Sequence, residues 1–422
     1  MARVYYGWVV AAGAFLVLFV AYGAQYSFGV FFAALLEEFG WSRAKLGGVF
    51  SLYAFAYAFF GFPAGWLTDR WGPRRVIGAG GVFLGTALAG MALVTELWQP
   101  YVLYGVVAAL GMGTAYVPCN ATVVRWFDRR RGLAVGLASS GASLGTFVLP
   151  PLAQLLIGSV GWRSAYVVFG AGVLVILSLV ATIMRRDPEA LGLHPDGAPH
   201  PPPIRGQRGE PWSVGAAART RTFWLVWAAF TASWIPVFIP LVHLVRHSRD
   251  LGFSPLVAAS MISATGLGAV AGRLVMGIVS DHIGRRATVA IAMGLQALAF
   301  VGFVMATSLL ALSATAVLFG YSYGAISTLF SAIVGDFFGR EQVASLVGIL
   351  FALAGSMGGW GPVVAGAVYD VWGSYTPAFL AAAALNVAAV ALLLLCPPPR
   401  PFSRPGSATL SGLWPPVGSP RC

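Results

Sequence analysis

The sequence predicts an all-α integral membrane protein of twelve transmembrane helices, arranged as two pseudo-symmetric six-helix bundles. Three observations carry that prediction: an apolar, charge-poor composition, a succession of apolar stretches of membrane-spanning length, and a pattern that recurs across the middle of the chain.

Of the 422 residues, 58% are hydrophobic and 9% charged, and mean hydropathy is +0.79. No water-soluble fold of that length hides so much apolar surface. Stretches of about 20 residues, each able to cross a hydrocarbon core of roughly 30 Å, lie at approximately 7–30, 45–67, 76–96, 100–122, 132–157, 163–184, 221–245, 256–279, 287–308, 311–334, 343–367 and 375–396. Gly and Pro are frequent within them, as in membrane helices that pack closely and bend. The alternating strands of about ten residues that mark an outer-membrane barrel are absent. The first stretch is too long for a cleavable secretory signal.

The net charge of +12 raises nucleic acid as a partner, and the distribution of charge argues against it. With the N-terminus inside, inner loops and termini hold 20 of the 26 basic residues, outer loops hold Arg43, Lys45, Arg163, Arg246 and Arg249, and Arg273 is the last. This is the positive-inside pattern of a multi-pass protein of the cell (plasma or inner) membrane with both termini cytoplasmic. Cys119, Cys396 and Cys422 have no spacing that suggests a metal site or a bridge, so no metal is expected. There is no nucleotide-binding loop, so gradients and not ATP are expected to drive any transport. No cofactor is implied.

A polar, Pro-rich segment divides the chain. Residues 1–184 form the expected N-terminal bundle, 185–220 a cytoplasmic linker, 221–396 the C-terminal bundle, and 397–422 a cytoplasmic tail of disorder-prone composition. Across the linker the sequence repeats. Gly65-Trp66-Leu67-Thr68-Asp69-Arg70-Trp71-Gly72-Pro73-Arg74-Arg75 is matched by Gly277-Ile278-Val279-Ser280-Asp281-His282-Ile283-Gly284-Arg285-Arg286, its glycines and aspartates 212 residues apart. Trp126-Phe127-Asp128-Arg129 has a weaker echo in Phe337-Phe338-Gly339-Arg340. Two related halves are the signature of a rocking transporter with its site between them. At the cytoplasmic helix ends, Asp69 and Asp281 stand beside Arg70, Arg74, Arg75, Arg285 and Arg286. Carboxylates there pair with arginines or helix N-termini, which makes this set, with Arg129, the gating candidates.

The G-x-x-x-D-x-x-G-R/P-R pattern after the second and eighth stretches resembles the loop motif of the major facilitator superfamily. Segment number, repeat and linker position agree with it along the whole chain. The run Trp126-Phe127-Asp128-Arg129-Arg130-Arg131-Gly132-Leu133-Ala134-Val135-Gly136-Leu137-Ala138-Ser139-Ser140-Gly141 is similar to the fifth-helix motif of the monocarboxylate transporters and their oxalate/formate antiporter relatives. Tyr6-Gly7-Trp8 agrees with that branch, without the acidic residue that animal members carry before it. The resemblance implies the major facilitator fold, secondary transport of a small organic anion by alternating access, and an eighth-helix arginine on the substrate carboxylate. Arg273 occupies that place.

Arg273 earns attention without the resemblance. It lies in 263–280, a stretch otherwise apolar, Gly or hydroxylated, where a cation costs roughly 2.5–3.5 kcal/mol on insertion scales. It stands about 12 Å of helix from the Asp281 loop, near the midplane. Each of the 14 acids, from Glu37 to Asp370, maps to a loop or segment end, so a substrate anion is the expected partner, and a carboxylate fits the guanidinium fork. A dicarboxylate would leave a second charge unpaired in low dielectric. Oxalate-exchanging relatives carry an added lysine in the eleventh helix, whereas here 343–367 has no basic residue and Lys45 is the one lysine. Small 2-hydroxy or 2-keto monocarboxylates such as lactate or pyruvate are the leading expectation.

The groups expected to orient such an anion are Tyr22, Gln25 and Tyr26 of the first stretch, Tyr116 and Asn120, which stack at i, i+4 in the fourth, and Tyr323 of the tenth. By resemblance Tyr323, Tyr116 and Asn120 are favoured, and Leu144 and Phe147 form an apolar wall; packing is the plain alternative for each aromatic. The resemblance also implies proton linkage. Proton-coupled members carry a first-helix lysine and an eighth-helix aspartate; here Tyr26 stands near the first position and Ala269, one turn before Arg273, near the second. A protonation switch would then be His243, toward the outer end of the seventh stretch, the substrate itself or a loop acid such as Asp370; for His243 a hydrogen-bonded interfacial histidine is the alternative. The competing functional readings are an anion exchanger of the oxalate/formate type and an exporter of drugs or other organic solutes, whose site would be expected to hold an embedded acid. An enzyme would need a catalytic cluster in the spans, and none is present. The expected unit is a monomer in a lipid bilayer.

Overall fold

The computed structural model describes residues 5–127, 130–197, 214–338 and 343–397. Within them, 11 helical runs are long and apolar enough to cross a membrane. The difference from the expected twelve lies in Leu133–Ile183, a run of 51 residues and about 76 Å of helix, more than twice a bilayer core. Gly161 breaks it, with φ 81° and ψ 159°, so this run makes two crossings. In chain order span 1 is Tyr6–Phe39, span 2 Arg43–Trp71, span 3 Pro73–Leu93 and span 4 Trp98–Trp126; spans 5 and 6 divide Arg131–Ile183 at Gly161. In the second half span 7 is Arg221–Asp250, span 8 Pro255–Ile283, span 9 Arg285–Met305, span 10 Leu309–Phe338, span 11 the pair Val343–Met357 and Trp360–Trp372, and span 12 Thr376–Leu394.

The repeated motif glycines have a backbone reason. Gly72 (φ 80°, ψ 159°) and Gly284 (φ 85°, ψ 148°) each make the one-residue turn between two spans, in a region open essentially to glycine alone. Gly161 does the same between spans 5 and 6. These tight reversals alternate the span direction. One end of the bundle gathers the linker flanks, Arg125, Asp187 and Arg285 (the linker end), and the other gathers Arg43, Asp250 and Asp370 (the far end).

Small residues let the helices touch through their backbones, the usual solution where lipid supplies no hydrophobic drive between them. Gly268 and Gly272 of span 8 meet Gly320 and Gly324 of span 10. A Cβ added at Gly272 would fall against the Tyr321 carbonyl oxygen, and one at Gly320 against that of Thr265. Gly141 and Gly145 of span 5 lie in the same way against Phe15 and Phe19 of span 1. Span 7 breaks between Trp234 and Phe238, and span 11 between Met357 and Trp360. Polar side chains also join spans: buried Ser233 donates to Asn386 Oδ1 at 3.0 Å, and Gln296 Nε2 donates to the Ser233 carbonyl at 3.4 Å, tying spans 7, 9 and 12.

Gly320→Val is expected to destabilise the protein by about 1–3 kcal/mol or more, as overpacking does, because the branched side chain must separate spans 8 and 10. Gly277→Ala, whose Cβ meets nothing within 4 Å, is expected to leave the thermal unfolding midpoint in detergent unchanged or slightly raised. Equal midpoints for the two variants would contradict the backbone contact.

Candidate functional site

The spans 8 and 10 contact decides where Arg273 points. Gly268 and Gly272 face span 10, and about 100° of helical rotation per residue then turns Gly266, Ala269 and Arg273 toward span 5 of the other half. There Arg273 Nη1 donates to the Ser139 carbonyl oxygen at 3.4 Å, while its Nε is buried with no hydrogen-bond partner among the described residues. The guanidinium borders a small cavity, with about 310 Å³ of space free of atoms when the part open to solvent is included. Both halves line it: Tyr22 and Tyr26 of span 1 and Ala142, Ser143 and Thr146 of span 5 on one side, and Leu241, Thr265, Ala269, Arg273 and Tyr323 on the other. Tyr26 and Tyr323 join their hydroxyls across the halves at 2.9 Å.

Among the described residues no carboxylate lines this cavity. The acids with described partners lie at the ends: Asp69, Asp187, Asp196 and Asp336 at the linker end, and Glu37, Glu38, Glu96, Asp250 and Asp370 at the far end. A charged group facing a low-dielectric space with an unpaired donor is poised for an anion.

Of the residues expected at the site, the structure brings together Arg273, Tyr22, Tyr26 and Tyr323. Tyr116 stands beside them, its ring centroid 6.3 Å from that of Tyr22, outside the lining. Asn120 is tied down locally: its Nδ2 donates to the Tyr116 carbonyl at 3.0 Å, and its Oδ1 accepts from Ser139 Oγ at 3.2 Å. Gln25 turns into its own half, where Tyr53 donates to its Oε1 at 3.2 Å. The expected apolar wall of Leu144 and Phe147 is replaced by Ala142, Ser143 and Thr146. The rotation of span 5 leaves the first two side chains 43% exposed, and Phe147 contributes its carbonyl, which accepts from Ser263 Oγ at 2.6 Å.

At the linker end the described ion pairs each stay within one half. Asp69 pairs with Arg125 at 2.7 Å, Arg125 also holds Asp187 at 2.9 Å, and Arg285 pairs with Asp336 at 2.8 Å. Arg286 donates to the Leu393 and Leu394 carbonyls at the end of span 12. Arg70 lies 5.5 Å over the Trp66 ring, and Arg74 and Arg75 are exposed. Arg129 and the side chain of Asp281 lie outside the described residues.

Bonds between the halves concentrate at the far end instead. Arg43 of span 2 donates to Asp250 Oδ2 of span 7 at 2.6 Å and to the Tyr375 hydroxyl at 2.9 Å, with its guanidinium 3.5 Å above the Tyr369 ring. Asp370 accepts from the Arg43 and Ala44 amides at 3.0 and 2.9 Å, satisfying the start of span 2 from the opposite half. Arg246 and Arg249 both reach Glu37, at 3.0 and 2.9 Å. His243 belongs to this network and not to the cavity. Burial pushes the Tyr375 phenol's pKa up, so Tyr375 is a hydroxyl that accepts from Arg43 and donates to His243 Nδ1 at 3.0 Å. His243 Nε2–H is left to donate to the Pro362 carbonyl at 2.9 Å.

This arrangement meets its relatives in both sequence and structure. The family model of the Major Facilitator Superfamily matches residues 14–248 and 233–419. Monocarboxylate transporter 11 of Homo sapiens is 31% identical over 391 residues, covering 90% of this chain and 80% of that protein. The chain belongs to the major facilitator superfamily, in its monocarboxylate transporter branch. Monocarboxylate transporter 13 of Bos taurus is 29% identical over 405 residues, 95% of this chain and 92% of its own length. In fold this major facilitator protein is similar to a bacterial homologue of the human lysosomal transporter Spinster, solved in an inward-facing, unoccupied conformation. Their TM-score is 0.69 at 15% identity, with 94% of this chain and 96% of that one covered. Membership in this superfamily makes the chain a transporter and not an enzyme.

Sequence reasoning passed over several groups of this transporter. Tyr57, an electrostatic neighbour of Tyr323 and Tyr116, and the hydroxyls of Ser143, Thr146 and Thr265 carried no signal beyond membrane-helix composition. Asp250 and Arg43 read as loop charges. His243→Ala is expected to lower the unfolding midpoint, since it removes the acceptor of the buried Tyr375 O–H, at about 1–3 kcal/mol, and a second donor to the Pro362 carbonyl, while leaving the pH profile of transport as it is. A lost pH dependence with an unchanged midpoint would overturn that assignment.

Proposed function

We propose that this protein is a secondary active transporter of small monocarboxylates of the lactate and pyruvate kind, working by alternating access, with Arg273 holding the substrate carboxylate. The observation that carries the reading is the buried, unpartnered Nε of Arg273 at a cavity between the halves that no carboxylate lines. Tyr22 and Tyr323 supply further hydroxyls around it. A single cation suits a single carboxylate, and the relatives named as monocarboxylate transporters support that class of cargo. Residues 1–184 and 221–396 are the two moving halves, joined by a cytoplasmic linker at 185–220 and followed by the tail 397–422. With the termini in the cytoplasm the far end faces outward, and the Arg43–Asp250–Asp370 network is the outer seal of an outward-closed state in a monomer of the cell membrane.

The source of drive follows from what the cavity holds. Neither an acid nor a histidine lines it, and both His243 nitrogens are engaged elsewhere. Proton-linked transport then requires the proton to travel with the substrate or on a group at the far end such as Asp370. Exchange of one anion for another requires neither. An always-charged arginine in an empty site resists reorientation, and that favours exchange as the second reading.

Uptake of labelled lactate into proteoliposomes tests both points. Arg273→Ala is expected to cut saturable uptake at least about 100-fold, two charge-assisted hydrogen bonds being worth about 3 kcal/mol or more, and Arg273→Lys to recover part of it because charge returns without the planar fork. Saturable uptake that persists in Arg273→Ala would sink the site. Stimulation by an inward proton gradient indicates symport, whereas indifference to pH with acceleration by internal anion indicates exchange.

A further inference from the structure

The cavity contains a second uncommitted polar group, on the wall opposite Arg273. Ser143 of span 5 is 3% exposed, lines the cavity, and its Oγ has no hydrogen-bond partner among the described residues. That is unusual for a hydroxyl in these helices. Thr146 donates to the Ala142 carbonyl at 2.9 Å, Thr265 to that of Ile262 at 2.7 Å, Ser27 to that of Gly23 at 2.8 Å and Ser248 to that of Leu244 at 2.7 Å. Each buries its proton in its own helix. The corresponding acceptor for Ser143, four residues back, is the Ser139 carbonyl oxygen, and Arg273 Nη1 occupies it. A carbonyl oxygen has two lone pairs. The helical N–H of Ser143 itself takes one and Arg273 takes the other, so the Ser143 hydroxyl is left facing the cavity. Tyr26 and Tyr323 share a single hydrogen bond, which leaves one of the two a proton to donate; among the lining serine and threonines, Ser143 is the one whose hydroxyl is free to meet a ligand.

We propose that Ser143 is a specificity-determining residue that reads the oxygen on carbon 2 of the substrate, so that the site prefers 2-hydroxy and 2-oxo monocarboxylates to unsubstituted ones. This rests on the monocarboxylate reading above. The Ser143 amide and Arg273 Nη1 share the Ser139 carbonyl oxygen, so the serine side chain and the guanidinium flank one oxygen atom. A carboxylate on Arg273 presents a hydroxyl or keto oxygen on the neighbouring carbon to that serine at hydrogen-bond length, about 2.8 Å. An acid with only hydrogens on carbon 2 leaves the serine hydroxyl buried and unpaired, the circumstance in which polar sites discriminate most strongly. A hydroxyl both donates and accepts, so it serves the keto and the hydroxy acid alike.

The test is competition of unlabelled lactate, pyruvate and propionate against labelled lactate in proteoliposomes, for the parent protein, Ser143→Ala and Ser143→Cys. The parent is expected to prefer lactate and pyruvate to propionate. In Ser143→Ala the affinity for lactate and pyruvate is expected to fall about 10-fold while that for propionate stays level, so the preference collapses. Ser143→Cys keeps the volume with a poor hydrogen-bonding group and is expected to collapse it likewise. The unfolding midpoint of the empty protein stays unchanged in both, since the hydroxyl has no protein partner to lose, whereas a structural serine would lower it. A preference that survives in Ser143→Ala, an equal loss for all three acids, or a parent that does not distinguish them overturns the proposal. Absence of any Arg273-dependent uptake in the parent overturns the monocarboxylate reading and this inference together.

Discussion

An arginine held between two helical bundles without a counter-charge is the constraint around which this transporter is organised. Burying a guanidinium is costly in a low dielectric, and the protein offsets the cost only in part: one long bond to the Ser139 carbonyl and a ring of neighbouring hydroxyls. The remaining deficit is an Nε without a partner among the described residues, the group on which the proposed anion site rests. The same deficit leaves the empty site under-satisfied, which links occupancy to the contact between the halves, because the Arg273 tether to Ser139 runs from one half to the other.

Delivery of that side chain depends on backbone packing some distance from the chemistry. Span 8 lies so close to span 10 that glycine is required on both sides, and this contact leaves one orientation for the next helix face. The neighbouring residues then decide the polarity of the cavity. Hydroxyls that back-bond to their own helix present little more than a methyl or a lone pair, while Ser143 is displaced from that role by the guanidinium it faces.

The two ends of the molecule divide the charged residues by task. Pairs at the linker end brace each bundle separately, as Asp69 with Arg125 and Arg285 with Asp336 illustrate. Several pairs at the far end cross between bundles, Arg43 with Asp250 and Arg246 and Arg249 with Glu37, and His243 is a fixed part of that network through Tyr375 and Pro362. Ion pairs of either kind contribute modestly to stability when solvated, but those that cross the halves must break if the halves are to rock. The far-end network therefore bears on the equilibrium between states more than on folding.

Much of this was legible in the chain. Periodic apolar stretches and the 212-residue repeat of Gly72 with Gly284 determined fold and symmetry, and the position of Arg273 marked the cation of the candidate site, because membrane solvation and forbidden backbone angles act on sequence locally. The turn at Gly161 belongs to the same class, as it adopts the conformation of the two motif glycines. What a side chain faces was a different matter. Gln25 and Tyr22 are three residues apart on one helix, and only the placement of Tyr53 and Tyr104 around span 1 sends the first inward to its own bundle. Leu144 and Ser143 are adjacent, and the rotation of span 5 against span 1 decides that the serine and not the leucine lines the cavity. His243, Arg43 and Asp250 are more than 190 residues apart at the extremes and meet only because the halves do. The sequence by itself determined which groups the membrane makes expensive; tertiary structure decided which of them face one another, since a rotation of one residue about a helix axis, set by contacts from distant spans, exchanges one face for the next.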